Sequence, residues 1–78
     1  MRIKYKKELE ELGWKFNAIA SMKNYYVFNR RDEKLHIDTD KLKITHYNFD
    51  ESSLPELSYE TLKIVVEIFE NEIGEQYE

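Results

Sequence analysis

The 78-residue chain holds no cysteine, two glycines and one proline. This excludes disulfides, iron–sulfur clusters, thiolate zinc sites and a cysteine nucleophile, and it argues against collagen-like or disordered sequence. With 41% apolar and 36% charged residues, one small core is within reach and a second is not, so residues 1–78 are expected to form a single domain. The net charge of −4 hides an asymmetry, because residues 1–43 sum to +4 and residues 44–78 to −8. The chain is electrically polar, which suits either self-complementarity or two differently charged partners.

The first predicted element is a helix over residues 3–12. Tyr5, Leu9 and Leu12 recur on one face of a 3.6-residue period, and Gly13 stands where a left-handed C-cap belongs. Such a short helix is unstable alone and must dock. A strand is expected over 14–20, with Trp14, Phe16, Ala18 and Ala20 facing the core. Ser21–Asn24 reads as a polar connection, and residues 25–29 form the strongest β segment. Arg30–Glu33 reads as a hairpin loop.

Leu35, Ile37 and Thr39 alternate with polar neighbours in a third strand, and Leu42, Ile44 and His46 do so in a fourth. With Asp40–Lys41 as a two-residue turn, Thr39 faces Leu42, Ile37 faces Ile44 and Leu35 faces His46. With Phe28–Leu35 and Tyr26–Ile37 these place one apolar face consistently across three strands, and Asp38 faces Lys43 on the opposite side. The polar run Asn48–Leu57, with Pro55 inside it, reads as a loop.

Ser58 is the expected N-cap of a last helix over 59–73, ending before Gly74. Leu62, Val65, Val66, Phe69 and Ile73 form the stripe expected to face the sheet. Ile64 and Ile68 fall outside it and widen the apolar arc to roughly 200°, where a single packed face requires about 100°. Either the first helix covers them, or a partner or second copy does. The expected architecture is α+β: a short N-terminal helix, a four-stranded antiparallel β-meander, and a C-terminal amphipathic helix packed on the sheet.

Motifs for catalysis are weak. The two glycines stand apart at 13 and 74, so neither a phosphate-cradling loop nor a nucleophile elbow can be written. His46 is expected on the core side of the sheet as a packed, hydrogen-bonded residue. His36, Asp38 and Asp40 share one strand face, but their spacing of roughly 6.5–7 Å brings two groups, not three, to a small ion. A solvated strand face is the default for them. No enzyme activity, cofactor or metal site is expected.

Two charged regions suggest binding instead. Lys23, Tyr25, Arg30, Arg31 and Lys34 combine basic and aromatic side chains in a way that suits single-stranded nucleic acid, although the overall charge is negative. Glu60, Glu67, Glu70, Glu72 and Glu75 give the C-terminal third an acidic surface that suits a basic groove on another protein. The bland alternative for that surface is a solubility device.

Three segments, Glu8–Trp14, Tyr25–Asn29 and Leu57–Lys63, together resemble the small helix–sheet–helix accessory proteins of phages and prophages in low-GC bacteria. The likeness is one of size, composition and element order. That group includes inhibitors of host defence such as anti-CRISPR proteins, so the resemblance implies a compact protein that works by binding.

The expectation is therefore a non-catalytic protein-binding module, a phage-encoded inhibitor that engages a host defence or nucleic-acid-handling protein. It would act through the acidic residues or the Ile64/Ile68 flank. The alternatives are a single-stranded nucleic-acid-binding module and a homodimeric assembly protein. The basic N-terminal segment lacks a following apolar run, and no stretch approaches a membrane span, so the expected setting is a cytoplasm.

Overall fold

The computed structural model describes residues 2–48 and 57–77, with side chains up to Asn71. Apart from its two ends, the loop expected over Asn48–Leu57 lies outside the described residues. Helix α1 (Ile3–Glu11) is followed by strands β1 (Lys15–Phe16), β2 (Tyr25–Arg30), β3 (Glu33–Asp38) and β4 (Lys43–Asn48), and then by helix α2 (Tyr59–Tyr77). The four strands form one antiparallel sheet in sequence order. The fold is α+β, as its element order indicates.

The end of α1 follows from Gly13. Its φ of 96° is left-handed, and Gly13 N–H bonds Glu10 O while Trp14 N–H bonds Leu9 O. This pair of bonds satisfies two carbonyls of the last turn. It also delivers Trp14 into the core, where Trp14 is fully buried.

The strand after Trp14 is shorter than its alternation predicts. Asn17 N–H still bonds Val27 O, but residues 18–20 then turn away from the sheet as the Asn17 side chain accepts from Ala20 N–H and Asn17 O accepts from Ser21 N–H. A side chain that bonds the backbone locally competes with the ladder. Ala18 and Ala20 are consequently exposed rather than core-facing.

The remaining register matches the predicted one. Phe28 pairs with Leu35, Tyr26 with Ile37, Ile37 with Ile44, Leu35 with His46, and Asp38 with Lys43. The β2–β3 loop is only Arg31–Asp32, because Arg30 and Glu33 still pair. The β3–β4 turn is longer than the expected Asp40–Lys41 pair. It spans Thr39 to Leu42, because Asp38 Oδ1 accepts from the N–H groups of Asp40 and Lys41, and Leu42 is exposed rather than paired with Thr39. There Thr39 is buried and donates through both N–H and Oγ1 to Asn24 O, tying this turn to the approach to β2.

Both helices lie on the face presenting Phe28, Leu35 and Ile37. The core joins these residues to Tyr5 and Leu9 of α1, to Trp14, and to Ile64, Val65 and Ile68 of α2. Ser58 caps α2 as expected, its Oγ accepting from Thr61 N–H at 3.2 Å.

Two expectations for α2 are corrected. The helix continues through Gly74 to Tyr77, since a lone glycine costs a helix only about 1 kcal/mol. Its buried face is Thr61, Ile64, Val65 and Ile68, whereas Leu62 and Val66 are exposed. The helix meets α1 as well as the sheet, which rotates the buried arc away from the predicted stripe. Ile73 lies in the last turns of α2, where the side chains are outside the described set.

Candidate binding surface

With Ile64 and Ile68 buried in the core, they form no exposed flank for a partner. Of their two readings, coverage within the fold is the one realised, with Tyr5 and Leu9 of α1 in the same cluster. The apolar flank of α2 that remains in solvent is a different one. Tyr59 is 74% exposed, Leu62 41% and Val66 49%. At positions i, i+3 and i+7 they form a strip along one side of the helix. With Lys63 and Glu67 they line a shallow groove of about 500 Å³.

Acidic residues border this strip. Glu60 and Glu70 are exposed and Glu67 is half-buried. Between the two helices, Glu60, Lys63 and Glu67 of α2 share a second groove with Lys4, Glu8 and Glu11 of α1. Sequence reasoning missed this contribution of α1 because it reaches the acidic side only through tertiary packing. Glu72 and Glu75 belong to the last turns of α2, and their side chains lie outside the described residues.

The five residues expected to hold nucleic acid do not form one surface. Side chains alternate across a strand, so Arg30 shares the core-side face with Phe28, while Tyr25 and Lys34 lie on the outer face. Arg30 is also committed internally. Its guanidinium donates to both Glu33 oxygens at 2.9 and 3.2 Å, donates to Leu12 O, and stacks 4.2 Å from the Trp14 ring. Arg31 stands in the β2–β3 turn and Lys23 in the connection before β2; both are exposed.

The Arg30 cluster extends further into the core face. Glu33 Oε1 lies 3.0 Å from His46 Nε2, and the His46 ring meets Trp14 edge-on. Donation from Arg30 holds the Glu33 carboxyl below the usual carboxylate range, partly opposed by burial and helped by His46. His46 is thus packed and bonded on the core side, as its position in the alternation predicts.

On the outer sheet face His36 lies between two tyrosines. Its Nδ1 is 2.6 Å from Tyr25 Oη and its Nε2 is 3.1 Å from Tyr47 Oη. Burial, followed by the Lys34 charge, lowers its pKa. Asp38 accepts from the N–H groups of Asp40 and Lys41, and Asp40 accepts from Asn24 Nδ2. The three residues with ligand-like spacing are each engaged elsewhere, and among the described residues no group of three or more metal-binding side chains converges.

No protein-family model matches the chain, and no curated protein or solved structure is significantly similar to it. Among the described residues no helix is long and apolar enough to cross a membrane.

Proposed function

We propose that this is a small non-catalytic protein-binding module that engages its partner through the outer face of α2. The observation that carries this reading is the exposed Tyr59–Leu62–Val66 strip beside Glu60, Glu67 and Glu70. Contiguous exposed apolar side chains within a polar border suit a protein contact. Tyrosine at the end of the strip adds a large apolar body with a polar tip. The acidic border favours a partner whose groove is basic, and it speeds encounter with such a partner.

The resemblance to phage accessory proteins gives this reading its particular form, an inhibitor that occupies a basic groove on a host defence or nucleic-acid-handling protein. The test is affinity capture from host cells, comparing the wild-type chain with Val66→Asp and with Glu67→Lys/Glu70→Lys. These positions are exposed or at the surface, so the variants should fold. A partner held by wild type and lost from both variants supports the reading. Unchanged capture by both contradicts it.

A second reading has one observation in its favour. Tyr25, His36 and Tyr47 form a diagonal row on the sheet face that carries no helix among the described residues, and Lys34 and Lys43 lie on that same face. Aromatic and basic side chains on an open sheet can hold single-stranded nucleic acid. Salt-sensitive oligonucleotide binding that is lost in Tyr47→Ala supports it, and no binding at low salt contradicts it.

A further inference from the structure

A second exposed apolar feature lies far from α2 in sequence. Ile19 is 99% exposed and Met22 74% exposed, with Ala18 and Ala20 also in solvent. This segment is not a loose tip. Asn17 Oδ1 accepts from Ala20 N–H, Ser21 Oγ donates to Asn17 O at 2.7 Å, and the same Oγ accepts from Val27 N–H at 2.9 Å. Met22 and Tyr25 exchange both backbone bonds, at 2.8 and 3.0 Å. The fold therefore holds Ile19 and Met22 outward in a preformed shape, which lowers the ordering cost of any contact they make.

The two exposed apolar features carry opposite charge. The loop is bordered by exposed Lys15 and Lys23; the α2 strip is bordered by Glu60, Glu67 and Glu70, with Lys63 beside them, and stays net negative. The charge of the whole chain divides the same way, with +4 over residues 1–43 and −8 over 44–78. Either patch alone is only two or three side chains wide. One contact between them covers both and pairs lysine with glutamate.

We infer that the occupant of the α2 strip is a second copy of this chain, whose Ile19/Met22 loop seats between Tyr59, Leu62 and Val66. This rests on the reading of α2 as a docking face and takes a second copy, in place of a host protein, as its occupant. The contact joins different surfaces of the two copies; made twice about a two-fold axis it is isologous and closes a dimer, and made once it is heterologous and extends head to tail.

The experiment is sedimentation equilibrium of the whole chain over a concentration series at low and high salt. The expected result is a mass above the 9.5 kDa monomer that rises with concentration and falls as salt screens the lysine–glutamate pairs. Ile19→Ser and Leu62→Ser should each raise the apparent dissociation constant about tenfold or more. Mixed together, the two variants should form a heterodimer, since each retains the surface the other lacks. A wild-type chain at monomer mass throughout overturns the inference, as does assembly that Ile19→Ser leaves unchanged. If the chain is monomeric and Val66→Asp still abolishes capture of a host protein, the docking face stands and only the second copy is rejected. If Val66→Asp leaves capture unchanged as well, both fail.

Discussion

Trp14 Nε1 donates to Thr61 Oγ1 at 3.2 Å across 47 residues of sequence, inside the core. Thr61 Oγ1 in turn lies 2.9 Å from Ser58 Oγ, the cap of α2. One chain of hydrogen bonds therefore joins Trp14, three residues past the end of α1, to the start of α2. It turns Thr61 inward, and Leu62 next to it outward.

That link predicts a specific cost. Thr61→Val keeps the shape of the side chain but leaves the indole N–H without its acceptor, so it should destabilise the fold by about 1–3 kcal/mol. Ser58→Ala removes the cap and should cost about 1 kcal/mol. Urea denaturation followed by Trp14 fluorescence measures both. Because the two groups share one network, the double variant should cost less than the sum of the singles.

The orientation of α2 predicts opposite outcomes two residues apart. Ile68 is fully buried, so Ile68→Asp places an unpaired charge in the core and should unfold the chain or cost about 3 kcal/mol or more. Val66→Asp lies in solvent and should stay within about 0.5 kcal/mol of wild type. Had the Leu62–Val66 stripe faced the sheet, these two results would be exchanged. Circular dichroism melts of the two variants separate the cases.

Stability should fall in two steps as the solution is acidified. Burial and Lys34 lower the His36 pKa, so the neutral ring is favoured in the fold. Its contribution is complete above the ordinary imidazole value and is lost as pH falls through the lowered one. Glu33, lowered chiefly by the Arg30 bond, behaves the same way in the carboxylate range, contributing above its unfolded value and losing that contribution as pH falls through the folded one. Urea midpoints against pH should show both steps, with Glu33→Gln removing the lower one. In an NMR titration Lys34→Gln should move His36 back toward the ordinary value.

Much of this fold is legible in the sequence because the β2–β4 pattern is redundant. Phe28, Leu35, Ile37 and Ile44 agree on one face only in one register, and a slip by a single residue would expose them all. β1 is less legible because Asn17 and Ser21 direct the chain by local hydrogen bonds that no hydrophobic period records. The face of α2 is hidden for a related reason. Its centre includes the polar Thr61, whose burial depends on Trp14 supplying a partner. An apolar arc wider than one contact then contains two plausible stripes, and packing against α1 decides between them. The proposed binding face keeps the acidic residues named from sequence, Glu60, Glu67 and Glu70, but its apolar strip is Tyr59, Leu62 and Val66 rather than Ile64 and Ile68.

The most direct test of α2 as the proposed binding face is site-specific photocrosslinking inside cells that express the chain. A photoreactive phenylalanine analogue replaces Leu62 in one chain and Thr45, exposed on the opposite side of the sheet, in another. A crosslinked protein or second copy is predicted from position 62 and not from position 45. Crosslinking from position 45 with none from position 62 would contradict the account and move the binding surface to the open sheet face.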